Sequence, residues 1–241
     1  MIKKIIVRRF LQEPAHCAIA ACASVANFYN ENIDYDYVKK ISSTKVYKNT
    51  EEGLNSGEIC LLLNYIGFEK VSLVSTNLYI FDYTWKNFGK KKLLGKIKES
   101  KSKIHKDYRD VSRSLYKWFK QKDFDNNIII DYSFGKYIRN FLNRNKPVIF
   151  TFNWNMFFKF SKSIDSGKND DIKGDWEEHV VVIRGYNARG VYVCDSHHEC
   201  YTYRLKKFRE GFYFISWEHL MTIMAFGDVF LPEMYVKPIK K

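Results

Sequence analysis

The sequence predicts an α+β protein: an N-terminal helical part containing one buried helix, packed on an antiparallel sheet from the C-terminal half, with a basic helical insertion. Three observations carry this. Between residues 15 and 30, small and apolar side chains recur at intervals of three and four, as on a buried helix. Residues 179–195, "HVVVIRGYNARGVYVCD", read as two apolar strands around a turn. Helical patterns come first and strand patterns last, the order of an α+β chain. With 241 residues, 46% of them hydrophobic, 19 Phe and only 4 Pro, the chain can bury a large core and has few breakers. One domain over residues 1–241 is expected, with residues 86–122 inserted in it.

In chain order, "KKIIVRRFL" (3–11) is a β-prone leading segment. The central helix follows from about Ala15 to Asn30, with Ala18, Ala21, Cys22, Val25, Phe28 and Tyr29 on its packed face. A second helix starts near Asp34 and turns Tyr37, Val38 and Ile41 inward. A third spans Ser56–Tyr65, and after Gly67 a strand covers Lys70–Val74. Ile97, Ile104, Tyr108, Val111, Leu115 and Trp118 form the apolar stripe of one amphipathic helix whose other faces are basic. A helix over Ser133–Asn143, a turn at Asn145–Pro147 and a buried strand Val148–Phe152 come next. The polar loop 162–178 leads to the hairpin, which turns at Asn187–Gly190. A strand in "CYTYRLKKF" (200–208), a short helix in "ISWEHLMTIM" (215–224) and a closing strand in "GDVFLPEMYV" (227–236) complete the chain.

Charge and cysteine content narrow the function. The net charge of +13 is concentrated: residues 86–122 hold 14 Lys/Arg against three acidic residues, a local charge of +11. A chain-wide nucleic-acid surface is therefore not favoured; the insertion reads first as a solvated helical face, with an acidic partner there as the alternative. Five cysteines, an odd number without framework spacing, read as reduced thiols. Charges interrupt the short apolar run near the start and no small-residue cleavage site follows it, so no signal peptide is expected; with no run of 18 apolar residues, a cytoplasmic protein is expected, in the producing cell or in one to which it is delivered.

Four residues carry chemistry. Cys17 lies in the first turn of the central helix, where free N–H groups and the helix dipole favour a thiolate. Most free cysteines are packing residues, and Cys22, deeper in the same helix, reads as one. His179 opens an apolar strand after a charged loop. Asp195, 16 residues on, ends the hairpin; with the midpoint at Asn187 the two are expected as direct cross-strand neighbours, the carboxylate orienting the imidazole. Gln12, five residues before Cys17, can present its side-chain amide to an oxyanion. Cys194 falls on the face opposite Asp195 and reads as core. "CDSHHEC" (194–200) lacks a second ligand pair, so no metal is expected. His16 reads as exposed and His219 as structural. Trp154 and Trp176 flank the loop before His179 and are candidates for an aromatic cover on its ring.

Gln12, Cys17 opening a small-residue helix that runs into "ASVANFY", His179 before "VVVIRGY", and "VYVCDS" resemble the papain-like cysteine peptidases. The resemblance is greatest to the branch of bacteriocin-processing peptidase domains, which cut after a double glycine, and their stand-alone relatives. It covers about residues 5–75 and 130–230, and "EEGLNSGEICLLLNYIGFE" fits the same family's middle section. The resemblance implies a papain-like fold and no cofactor. It also implies a Cys17 nucleophile, a His179 base, Asp195 as orienter and Gln12 as oxyanion donor, acting on a peptide or isopeptide bond. Three departures stand out: Ala18 follows Cys17 where the family usually has Gly, the Gln12–Cys17 gap is short, and the basic insertion is additional. A double-glycine substrate is thus not required. The same triad also serves acyltransferases and deamidases, which pair an acyl donor with an amine acceptor or water. A third alternative is an inactive protein that binds through the insertion.

Overall fold

The computed structural model describes residues 2–46, 53–75, 77–100, 104–164, 169–197, 211–224 and 227–234. Helix α1, Cys17–Tyr29, is the expected central helix, buried without a break from Ala18 to Ala26. Its small side chains let it lie close to the sheet and to two further helices at once. Helix α2, Tyr35–Ile41, starts where Asp34 Oδ1 accepts the Tyr37 N–H at 2.8 Å. Val38 faces the core, but Tyr37 is 45% exposed, contrary to expectation. In a two-turn helix Val38 and Ile41 share the inward side, and Tyr37, one step from Val38, is carried off it. A single π-type turn, Ser42–Val46, extends α2. Helix α3, Ser56–Tyr65, has the expected bounds and opens with a capping box between Asn55 and Glu58.

Eight strands form one sheet among the described residues. β1 (Lys3–Lys4), β2 (Lys70–Ser75), β3 (Asn127–Ile130), β4 (Val148–Asn153), β5 (Glu178–Asn187), β6 (Gly190–Cys194), β7 (Phe212–Ser216) and β8 (Asp228–Glu233) run in the order β3-β2-β8-β4-β5-β6-β7. β1 joins the far end of β5, with Lys4 opposite Gly185. The expectation of an antiparallel sheet needs one correction: β2 and β3 are parallel. Parallel neighbours cannot be joined by a hairpin, so the chain between them must cross over. The basic segment is that crossover, and it is two helices instead of one: α4 (Lys90–Ser100) and α5 (Arg109–Phe119), with a 3₁₀ turn at Lys106–Tyr108 before the second. The break spans the widest interval of the apolar stripe, Ile97 to Ile104. Leu93, Ile97, Leu115, Trp118 and Phe119 are all buried in the common core.

Helix α6, Phe134–Asn143, leads through Asn145, at φ 57°, into the fully buried β4. A short helix α7, Trp154–Phe158, was not anticipated; Asn153 Oδ1 starts it by accepting the Met156 N–H at 2.9 Å. Helix α8, Trp217–Ile223, is two residues shorter at its start than expected, because Ile215 and Ser216 belong to β7. The strand expected at residues 200–208 lies outside the described residues. No helix among the described residues is long and apolar enough to cross a membrane.

Candidate active site

Cys17 is the first residue of α1, and no side chain caps that helix end, so the N–H groups of its first turn remain available beside the thiol. The approach is a tight turn: Ala15 is left-handed at φ 60°, and the His16 N–H donates to the Glu13 carbonyl at 3.0 Å. His16 is 5% exposed, which corrects the expectation of a surface position. Its Nδ1 lies 3.0 Å from the Tyr35 hydroxyl and 3.5 Å from Glu13, and Glu13 is itself held by Lys39. Of the four cysteines described, Cys17 is the one that is not buried. Burial raises the thiol pKa of Cys22, Cys60 and Cys194, the last to about 12, and those three are packing residues as expected for Cys22 and Cys194.

His179 is the second residue of β5 and is almost wholly buried. Its Nε2 lies 2.8 Å from Asp195 Oδ1, and Cys17 is near enough to act on the imidazole's titration. Burial alone would lower the imidazole pKa. The charge and hydrogen bond of Asp195, helped by the nearby Cys17, outweigh burial and raise it to about 10. The Trp154 ring meets the imidazole edge-on at 4.3 Å between centroids, and Phe152, directly across from His179 on β4, at 5.6 Å. Trp154 therefore supplies the aromatic cover; Trp176 is 51% exposed, under the Lys162 ammonium.

Asp195 is on His179's face of the sheet for a reason other than the expected one. The turn pairs Asn187 with Gly190, and that register carried forward would put Asp195 opposite Val182, on the wrong face. A bulge at Arg184 intervenes: Gly185 pairs with Tyr192, but Ile183 pairs with Val193. One residue past β6, Asp195 then stands level with Val181, diagonal to His179 and on its face. The two are not direct cross-strand partners. Gly185 accommodates the irregularity, because a Cβ there would overlap the Lys3 carbonyl of β1.

Asp195 is fully buried and fully used. Oδ1 also accepts the His197 N–H at 2.9 Å, and Oδ2 accepts the Tyr213 hydroxyl at 2.7 Å. Arg9 holds the same segment from the other side, its Nε donating to the Asp195 carbonyl at 2.5 Å and its Nη2 to the His197 carbonyl at 2.8 Å. Gln12 joins this segment too: its Oε1 accepts from Ser196 Oγ at 2.7 Å, and its N–H donates to the Ser196 carbonyl at 3.2 Å. With Oε1 engaged, the amide NH₂ is the end of Gln12 left to donate.

The structure thus joins His179 and Asp195 by a hydrogen bond, places Cys17 near enough to shift the imidazole's titration, and ties Gln12 to the residue after Asp195. Sequence reading misses Arg9 and Tyr213. Both carried a signal: Arg9 continues the inward alternation of Ile5 and Val7, and Tyr213 puts a hydroxyl on the buried face of "FYFIS". Among the described residues no cluster of three His, Cys, Asp or Glu could hold a metal; His198 and Cys200 lie outside them.

A family model described as the Peptidase_C39 like family matches residues 4–223. A solved structure of a candidate C39-like peptidase from Bacillus anthracis aligns over 97% of this chain and 99% of its own, at 12% identity and a TM-score of 0.37. No curated protein matches the chain. The family match bears out the resemblance read from the sequence.

Proposed function

The chain belongs to the Peptidase_C39 like family, and from that premise we propose that it is a cysteine-dependent peptidase, cutting a peptide or isopeptide bond with Cys17, His179, Asp195 and Gln12. In this reading the whole chain is one catalytic domain with residues 86–122 built into it. The Cys17 thiolate attacks the substrate carbonyl carbon, forming the C–S bond and moving the carbonyl electron pair onto oxygen. The Gln12 amide and the Cys17 backbone N–H donate to that oxyanion. As the C–N bond breaks, protonated His179 gives its proton to the leaving amine, and a thioester remains. Water then attacks the thioester, its proton passing to His179; the C–S bond breaks and the imidazolium–thiolate pair is restored. Asp195 stays ionised throughout and holds the imidazole by Nε2, which leaves Nδ1 for the proton transfers. Free thiols suit a reducing compartment such as the cytoplasm.

The observation that carries this reading is a buried imidazole hydrogen-bonded to a buried carboxylate, with its titration raised by that carboxylate and by the partly buried thiol at the start of α1. Iodoacetamide labelling tests it. Near neutral pH one equivalent should label Cys17, and that labelling should be lost in Cys17→Ala and strongly slowed in His179→Ala. A native Cys17 that does not react overturns the proposal. Peptide cleavage should fall by roughly 10⁶ in His179→Ala. If an added primary amine captured the acyl group in preference to water, the acyl-transfer alternative would replace hydrolysis.

A further inference from the structure

The mechanism uses Cys17 and leaves His16, the residue before it, without a part. His16 is the N-cap of α1, yet its side chain does not cap that helix; the ring meets Tyr35, the first residue of α2. The Tyr35 hydroxyl accepts the Glu13 N–H at 3.3 Å and lies 3.0 Å from His16 Nδ1. With that N–H received, the hydroxyl's own proton is directed to Nδ1, which assigns the ring's proton to Nε2. Burial raises the Tyr35 pKa to about 12, so the phenol keeps that proton through neutral pH. His16 Nε2 is buried and has no hydrogen-bond partner among the described residues, so the ring is anchored through Nδ1.

That anchor fixes a backbone junction. The His16 N–H donates to the Glu13 carbonyl and closes the approach turn, and its carbonyl accepts the Ala20 N–H at 3.0 Å and opens α1. Inside the turn, Ala15 is left-handed at φ 60°, a conformation that a residue with a Cβ keeps only where its surroundings impose it. They do so from two sides. Gln12 ties the start of the turn to Ser196, beside Asp195, by its side chain and its backbone N–H. Glu13 and His16 tie its end to α2 through Tyr35, and the Glu13–Lys39 pair, partly exposed and weak by itself, adds to this. Cys17 is carried by a helix and His179 by the sheet, so these ties set where the thiol stands relative to the imidazole.

We propose that His16 is a positioning residue of the nucleophile: held by Tyr35, it locks the turn 12–16 and so fixes the Cys17 thiol relative to the His179 imidazole. The inference rests on the peptidase reading and adds to it a residue that acts through Cys17. A Ser or Asp cap at this place would take up N–H groups of the first turn of α1; His16 leaves them open and draws its support from α2 instead.

The test reads Cys17 alkylation by iodoacetamide in the full chain, from acid to alkaline pH. Tyr35→Phe keeps the ring on α2 and removes the hydroxyl, and His16→Leu fills the space without an acceptor. In each, the rate near neutral pH should fall about tenfold because the whole profile moves about one unit to higher pH, while the alkaline plateau keeps the wild-type rate. A loosened fold or a blocked thiol would change the plateau instead. Tyr35→Phe leaves the imidazole in place, so its shift cannot come from a lost His16 charge, and it carries the test by itself should His16→Leu fail to fold. The double variant should react no more slowly than the slower single one, since both cut the same tie. A wild-type profile in Tyr35→Phe overturns the proposal, as does a changed plateau without a shift or an additive loss in the double variant. A wild-type Cys17 that is inert removes the peptidase reading, whereas a reactive one whose profile ignores both substitutions removes this inference alone.

Discussion

Asp195 shows how much one residue must be supported to orient another. A fully buried carboxylate is costly unless its oxygens are satisfied, and here Tyr213 supplies the donor to Oδ2 while His179 and the His197 N–H share Oδ1. Tyr213→Phe keeps the ring and removes only that donor. It should cost about 1–3 kcal/mol in urea unfolding at neutral pH. It should also lower kcat more than KM, since Tyr213 is a positioning residue that acts through Asp195. Unfolding unchanged from the wild type would show that the Oδ2 contact contributes nothing. The candidate residues themselves were legible in the sequence, because a thiol at a small-residue helix start and a His–Asp pair flanking one hairpin are unusual local patterns. Arg9 and Tyr213 were not singled out, because their role exists only once residues 186 and 18 positions from Asp195 fold onto it.

At the level of elements, two backbone approaches do most of the positioning. The bulge at Arg184 moves Asp195 onto the face of His179, and the glycine inside the strand, Gly185, was the local sign of it. Strict period-2 reading gave the right pair by assuming a regular register that the chain does not have. The second approach is Gly57 against α5. Gly57→Ala would drive a methyl into the backbone at Leu115 and into Ser114, forcing α5 off α3. A loss of about 1–3 kcal/mol is expected from overpacking, although alanine is the better helix former. Hydrogen exchange of α5 amides should rise with it; an unaltered or more stable Gly57→Ala protein would mean that the helices do not meet so closely. The parallel β2–β3 pair was invisible in sequence because β3 is only four residues long, and a short apolar run says nothing of its partner.

Across the whole molecule, two raised pKa values make stability fall as pH rises, in two separate windows. His179 titrates at about 10 in the folded chain, above its ordinary 6.5, because Asp195 and Cys17 outweigh burial. Its contribution to stability is therefore complete below pH 6.5 and is lost as pH rises towards 10. Activity that needs the imidazolium–thiolate pair should extend well into the alkaline range, and in Asp195→Asn the alkaline limb of kcat/KM should move down towards neutral pH. A limb that stays in place would detach Asp195 from His179. Asp228, buried at the start of β8, acts in the same direction at lower pH. Burial raises it to about 6 from 3.8, against the Ser56 and Ser75 hydrogen bonds that lower it. The folded state thus holds that proton more tightly than the unfolded chain, and stability from this group falls as pH rises from 3.8 through 6. Asp228→Asn keeps an acceptor for Ser56 and removes the buried charge, so it should gain stability over the wild type at pH 8 and not at pH 3.5. Equal unfolding midpoints at pH 8 would sink that account.

The sequence by itself determined the α+β class, the central helix, α3 with its bounds, the hairpin and the four residues on which the candidate site is built. These follow from local periodicity, capping and turn chemistry, which act over a few residues. Tertiary structure alone decided that Asp195 and His179 share a face through a bulge, and that Trp154, not Trp176, covers the imidazole. It also decided that the basic segment is a crossover packed on α3, because that follows from which strands pair and in what register. Such pairings are fixed by packing between segments far apart in the chain, so no local pattern could record them.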